Sequence, residues 1–327
     1  MADLARLSGR RFLVLGRAGM DLYADPPGTR TEDAAAFVAC LGGSAANIAA
    51  ALVRQGASAD LLGCVSDDAV GRFCLKQLDR FGIGRQHVRT AGGGARSSLA
   101  VVETRIEDHQ SVIYRNGAAD LALRTEDLGS VDFGACSALV VTGTALAAEP
   151  SRAAALRALE LAREAGAVRV LDIDYRPYGW PSLAEAAEVC GRAAALCDIV
   201  VGNDAEFALL AGATGDGLDA ARALAAGPAA ICVYKMGERG AVTLAGGREI
   251  RTGVYPARAL KPTGAGDAFL GGFLAALADG AAIADAVLRG SGAAAIVVGR
   301  VGCAPAMPGR DELDAFLGSH PAPPETR

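Results

Sequence analysis

Lysine is nearly missing from this 327-residue chain: only Lys76, Lys235 and Lys261 stand among its 32 basic residues. Histidine is as scarce, with His87, His109 and His320 alone, so no zinc cluster can be assembled at ligand spacing. A metal in this protein must be a hard, oxygen-bound ion, and magnesium fits that description. The eight cysteines include no C-x-x-C pair. Most lie in apolar surroundings such as Ile231-Cys232-Val233 and read as small core residues. No apolar run approaches the ~20 residues of a membrane span. The polar start, residues 1–11, lacks the apolar core of a signal peptide, so a cytoplasmic protein is expected. A net charge of -5 gives no electrostatic reason to expect nucleic acid or an anionic membrane as partner.

What is present is a globular composition, 51% apolar and 21% charged, ample for a large core. Apolar runs at 12–15, 59–62, 138–141, 168–173, 199–201 and 230–233 predict short buried strands. Between them, stretches rich in Ala, Leu, Arg and Glu at 44–55, 152–165, 183–195 and 218–226 have helical length and spacing. Strands alternating with helices predict an α/β fold with a doubly wound parallel sheet covered on both faces. One region breaks the rhythm. Segments 97–104 and 110–115 read as successive strands with no helix between them. With 18–23 and 36–40 they predict a small antiparallel layer, a lid that closes over substrate and excludes competing water. The expected organisation is a single domain over 10–317, with lid segments at about 17–41 and 95–124 and a disordered tail at 318–327. An exposed sheet edge on the lid points to a homodimer.

The strongest local signal is Lys261-Pro262-Thr263-Gly264-Ala265-Gly266-Asp267-Ala268-Phe269, a glycine-rich turn delivering the chain into a helix. Glycines let backbone amides converge there, and the helix dipole adds positive potential, so anionic phosphoryl oxygen is a natural occupant. Asp267 would repel phosphate unless it faces the attacking hydroxyl, where phosphoryl transfer needs a late proton acceptor. A capping or first-turn acid is the other reading of this residue.

Thr263-Gly264-Ala265-Gly266-Asp267 resembles the C-terminal signature of the PfkB carbohydrate kinases. The resemblance implies a ribokinase-like, three-layer α/β/α fold with a β lid, and ATP and Mg2+ as cosubstrate and cofactor. It also implies an anion hole from the Gly264, Ala265 and Gly266 backbone, with Asp267 as catalytic base. The N-terminal signature is matched by Gly42-Gly43-Ser44-Ala45-Ala46-Asn47, in which Gly43 lets sugar approach the backbone and Asn47 bonds hydroxyls. Gly16-Arg17-Ala18-Gly19-Met20-Asp21 fits the family's G-x-x-x-x-D, with Asp21 accepting from sugar hydroxyls. Asn203-Asp204-Ala205-Glu206 matches its N-x-x-E, where Asn203 and Glu206 organise magnesium mostly through water; a helix cap is the alternative. Lys235-Met236-Gly237-Glu238-Arg239-Gly240 resembles its nucleotide loop, with Lys235, Gly237, Gly240 and Thr263 on the ATP side; a charged turn is the alternative. Segments 290–295 and 302–305 resemble the adenine side. Lys261 stands where the family usually has an Asp that helps hold a monovalent cation, which makes dependence on such a cation doubtful.

Within the family, residues 16–23, 114–116, 140–144, 171–177 and 302–305 are most similar to the kinases of 5-dehydro-2-deoxygluconate in myo-inositol breakdown, over about 10–317. The implied substrate is a small sugar acid phosphorylated on its terminal hydroxyl. Arg115 and Arg176 are candidates for its carboxylate, with an exposed surface role as the other reading of each. The alternatives are a 2-keto-3-deoxygluconate kinase, another PfkB kinase of fructokinase or ribokinase type, and a catalytically silent sugar- or nucleotide-binding protein.

Overall fold

The computed structural model describes residues 3–212 and 215–324. Two-residue alternation, with both faces buried, decides the layering. In β1 (Arg11–Leu15), Phe12 and Val14 enter one core while Leu13 and Leu15 enter another on the opposite face. The strands β8 (Ala138–Thr142), β9 (Val168–Asp172), β10 (Ile199–Asn203) and β11 (Ile231–Lys235) divide their side chains in the same way. With β4 (Ser58–Ser66), β5 (Gly84–Ala91), β12 (Ala241–Ala245) and β13 (Arg248–Thr252) they form one sheet, ordered β13-β12-β11-β10-β9-β8-β1-β4-β5. The helices α1 (Ser44–Arg54), α2 (Ala69–Phe81), α7 (Ala265–Ala278), α8 (Ile283–Val298) and α9 (Arg310–Ser319) bury their apolar sides in the first core. The second core takes α3 (Ser151–Glu164), α4 (Leu183–Ala195), α5 (Asp204–Ala211) and α6 (Gly217–Ala226).

From β5 to β11 the sheet is parallel, as expected, but β12 and β13 pair antiparallel. The reason is chain length. A parallel return needs a crossover of about a dozen residues, and the turns at 236–240 and 246–247 permit only hairpins.

Winding reverses between β1 and β8: the chain proceeds through β4 and β5 on one side and through β9, β10 and β11 on the other. Open α/β sheets bind ligands at the carboxyl ends of strands beside such a point. Over this edge lies the second sheet, β3-β2-β6-β7, made of β2 (Gly19–Asp25), β3 (Ala36–Gly42), β6 (Leu99–Val102) and β7 (Ser111–Tyr114). This is the expected lid, with one correction: β2 and β6 are parallel. Each follows the carboxyl end of a parallel strand of the main sheet, β1 and β5 respectively, so both leave in the same direction. Tyr23, Cys40, Ala100 and Val102 pack with Cys303 into a small core of the lid's own. Phe37, Val38, Ile106, Val112 and Tyr114 of this layer are exposed.

Of the segment expected to be disordered, residues 318–319 complete α9 and Pro323 and Pro324 lie against Gly253; 325–327 fall outside the described residues. Among the described residues no helix is long and apolar enough to cross a membrane.

Candidate active site

Helix α7 starts at Gly264, which has φ +85° and no side-chain cap. The amides of Ala265, Gly266 and Asp267 therefore keep their hydrogen-bonding capacity at the positive end of a fourteen-residue helix. Asp267 lies in the first turn, and its Oδ2 accepts a 2.8 Å hydrogen bond from Asn47 Nδ2 on α1. Desolvation, then the negative charge of Asp174, pushes the Asp267 carboxyl up to about 6, against Asn47, Arg176 and Lys235. A carboxylate so poised is a stronger proton acceptor than an exposed aspartate and is still ionised at neutral pH.

Beside it opens a cavity of roughly 100 Å3 between the switch point and the lid. Of the residues expected from the sequence, Asp21, Gly43, Asn47, Arg115, Arg176, Thr263, Gly264 and Asp267 line it. Asp21 Oδ1, Asn47 Oδ1, Thr263 Oγ1 and Arg17 Nε are buried without a partner. Folded proteins leave few such atoms, and four around one cavity mark a polar ligand's place. Burial raises the Asp21 carboxyl, against the pull of Arg17.

The glycine pair has a more internal purpose than expected. A Cβ on Gly42 would lie 2.0 Å from Asp21 Oδ1, and one on Gly43 (φ +95°) would lie 2.4 Å from the Arg17 carbonyl oxygen. These glycines make room for the site's own Asp21 and Arg17.

Lys235, at the carboxyl end of β11, reaches the glycine turn at the start of α7: a Cβ on Gly266 would sit 3.5 Å from its Nζ, which also lies 5.7 Å from the Phe269 ring centroid. Its charge opposes the raised pKa values of Asp172 and Glu206, which burial pushes up. Gly237 has φ +58° and open space around it, whereas Gly240 is needed by the hairpin, because a Cβ would approach Thr252 O to 2.0 Å. Neither glycine lines the cavity, nor do Asn203 and Glu206. Those two form a capping box at the start of α5: Asn203 Oδ1 accepts from Glu206 N at 2.9 Å and Glu206 Oε2 from Asn203 N at 2.7 Å. The cap alternative thus describes what their oxygens do in the protein alone.

On the expected adenine side, Gly290 and Gly292 of α8 serve helix packing. A Cβ on Gly290 would meet Phe269, and one on Gly292 would meet Leu313 and Leu317 of α9. Lys261 is fully buried, and its Nζ donates to Thr263 O at 2.5 Å and lies 4.0 Å from Cys303 Sγ. Burial pulls its pKa down.

Sequence reasoning missed Arg17, Thr144, Asp174, Tyr178 and Cys303, all of which line the cavity. Asp174 was within reach, since it stands two residues before Arg176 in the matched stretch 171–177; its φ of +36°, unusual for a non-glycine residue, is visible only in the fold. Arg17 carried no local signal, since only the Asp of its motif has a role in the resemblance.

Comparison with known proteins agrees with this geometry. Residues 10–310 match the pfkB family of carbohydrate kinases. A 5-dehydro-2-deoxygluconokinase of Photobacterium profundum is 41% identical over 93% of this chain and 94% of its own. Its namesake in Geobacillus kaustophilus is 35% identical over 94% of both chains. Among solved structures, a double mutant of the fructokinase of Vibrio cholerae O395, with fructose, ADP and potassium ion bound, superposes with a TM-score of 0.82 at 27% identity, covering 94% of this chain and 98% of that one. Two signatures in register, a ribokinase-like sheet with its lid and a match over nearly the whole length lead to one conclusion: this chain belongs to the pfkB family of carbohydrate kinases.

Proposed function

We propose that this chain transfers the γ-phosphoryl group of ATP to the terminal hydroxyl of 5-dehydro-2-deoxy-D-gluconate, forming the 6-phosphate in myo-inositol breakdown. The observation that carries the chemistry is the raised, partly buried carboxyl of Asp267 at the uncapped start of α7. In the reaction Asp267 takes the proton of the attacking hydroxyl, while Asp21 and Asn47 hold other hydroxyls beside Gly43. The amides at Gly264, Ala265 and Gly266 receive the charge of the migrating group, with Lys235, Thr263 and the Gly237 turn on the nucleotide side. Gly240 fixes the hairpin that carries Lys235. The identity of the substrate is supported by the two relatives of that name. The fructose and ADP bound in the Vibrio structure support the sugar and nucleotide classes.

Mg2+ fits the donor set. Asp172 and Glu206 are buried acids that feel the charge of Lys235, and Asn203 stands beside Glu206 at the start of α5, so oxygen donors gather at the carboxyl ends of β9 and β10. That suits an ion which keeps waters and phosphate oxygens in its shell. Asn203 and Glu206 would orient those waters, and the ion would neutralise phosphate charge when bound. An ADP-release assay with 5-dehydro-2-deoxygluconate, 2-keto-3-deoxygluconate, fructose and ribose tests the proposal. We expect kcat/KM for the first to exceed the others by about 10-fold or more; a higher value for any other sugar overturns it.

Lys261 substitutes for a monovalent cation in this reading. Its ammonium is tethered to the Thr263 carbonyl one residue before the anion hole, with no carboxylate within ion-pair distance among the described residues. Replacing K+ by tetramethylammonium at constant ionic strength is expected to leave kcat unchanged. Lys261→Met is expected to lower kcat about 10–100-fold, ~1.4–2.7 kcal/mol of barrier, and to make it respond to added K+. Strong K+ activation of the unaltered protein would remove this role.

The exposed apolar side chains on β3 and β7, both edge strands, support a homodimer formed lid to lid. Sedimentation as a monomer at micromolar concentration would refute it.

A further inference from the structure

Three guanidinium groups face the cavity, and two are already engaged. Arg115 Nε and Nη2 donate to Asp120 Oδ2 at 3.0 and 2.5 Å, and Nη2 also to Thr144 O at 2.8 Å. Arg176 Nη2 lies 2.8 Å from Asp174 Oδ1, with its side chain nearly half exposed. Arg17 differs from both. Only 9% of its surface is exposed, its one side-chain hydrogen bond runs from Nη1 to Ser98 Oγ at 2.9 Å, and its Nε is buried and unpartnered. No carboxylate lies within 4.0 Å of it among the described residues. Nor is the residue free to swing away. Its carbonyl accepts from Ala46 N at 3.2 Å, and a Cβ on Gly43 would lie 2.4 Å from that oxygen and one on Gly19 3.4 Å from Nη1, so the space around the residue is closely fitted.

Arg17 feels the charge of Asp21 but makes no ion pair with it; a guanidinium taken out of water with its fork unpaired is costly, and the cost is recovered when a carboxylate arrives with bidentate geometry. We propose that Arg17 is the specificity-determining residue that binds the carboxylate of the sugar-acid substrate, with Arg115 and Arg176 held by Asp120 and Asp174 to shape the pocket around it. This rests on the substrate class proposed above. It assigns acid recognition to the carboxyl end of β1, on the side of the switch point where Asp21 and the lid meet the sugar.

The test compares 5-dehydro-2-deoxygluconate with its neutral 1-carboxamide in the unaltered protein, Arg17→Met and Arg17→Lys. The unaltered protein should prefer the acid over the amide. In Arg17→Met the KM for the acid should rise about 10–100-fold while the KM for ATP stays put, and the acid-to-amide ratio of kcat/KM should fall towards one. Arg17→Lys, which keeps the charge but loses the fork, should recover part of the ratio; it gives the same comparison if the Met variant does not fold. An undiminished acid-to-amide ratio in both variants overturns the assignment. So does an equal loss for acid, amide and ATP, which would make Arg17 structural. Failure of the unaltered protein to use either compound, while it turns over fructose, overturns the substrate reading itself.

Discussion

Asp267→Asn is expected to lower kcat by about 10²–10⁴-fold, the worth of a positioned general base, with little change in the KM for ATP. The same substitution should make the protein more stable. A carboxyl whose folded pKa is about 6, against an ordinary 3.8, binds its proton more tightly in the folded state. Its contribution to stability is therefore fully present below about pH 3.8 and is lost as pH rises through about 6. At pH 7 the ionised group is a cost of about 1–2 kcal/mol after allowance for its partial contact with solvent, and asparagine removes that cost. Asn47 can still donate to the amide oxygen of the new side chain. We expect a thermal midpoint a few degrees higher than that of the unaltered protein, together with the loss of turnover. In the unaltered enzyme the acid limb of kcat/KM should fall below about pH 6, because as the proposed base Asp267 must be ionised to accept the hydroxyl proton. A folded Asn variant that keeps its turnover would leave the site without a base.

Gly264→Ala should do comparable damage by another route. Gly264 has φ +85°, a conformation that costs an alanine about 1–2 kcal/mol. The added Cβ would also lie 2.8 Å from Cys303 Sγ, 3.2 Å from Cys303 Cβ and 3.3 Å from Val297 Cγ1. Relief requires moving the start of α7, and with it the amides that we propose meet the migrating phosphoryl group. Losing one such donor typically costs about 10²–10³-fold in kcat, and that is the loss we expect. Gly280→Ala, beyond the far end of α7, is the control: its φ of +81° is also positive, but nothing lies within 4 Å of the new methyl group, so only the backbone cost applies. Circular dichroism should show both variants folded. A Gly264→Ala enzyme with ordinary kcat would mean that the α7 amides do not meet the phosphoryl group.

How much could be read in advance varied with burial. The central strands were legible because both their faces are buried, which leaves an uninterrupted apolar run. Helix α2 and strand β5 were not. Helix α2 carries a clear helical period, with Gly71, Cys74 and Leu78 buried on one face, but it is polar on average and sequence reasoning missed it; β5 is a half-exposed edge strand of mixed composition and prints no strong period. The motif residues Asp21, Asn47 and Asp267 were legible because their spacing is local to one turn or one helix start. Cys303 was noticed only as part of a loop, yet its Sγ lies near Tyr23 on the one hand and Lys261 and Gly264 on the other, two distant parts of the chain.

By itself the sequence determined the layered α/β fold, the segments of the second sheet, and the glycine turn with its carboxylate at the start of a helix. Each of these depends on residues near one another along the chain, through side-chain period, glycine conformation and helix polarity. Tertiary structure alone decided which charges remain free. Asp120 lies five residues from Arg115 and Asp174 two from Arg176, but nothing in those spacings says that they bind, and nothing near Arg17 says that it is left unpaired. The pairing of charges is settled by which strand ends meet at the switch point. That is a matter of distance in space, to which position along the chain is blind.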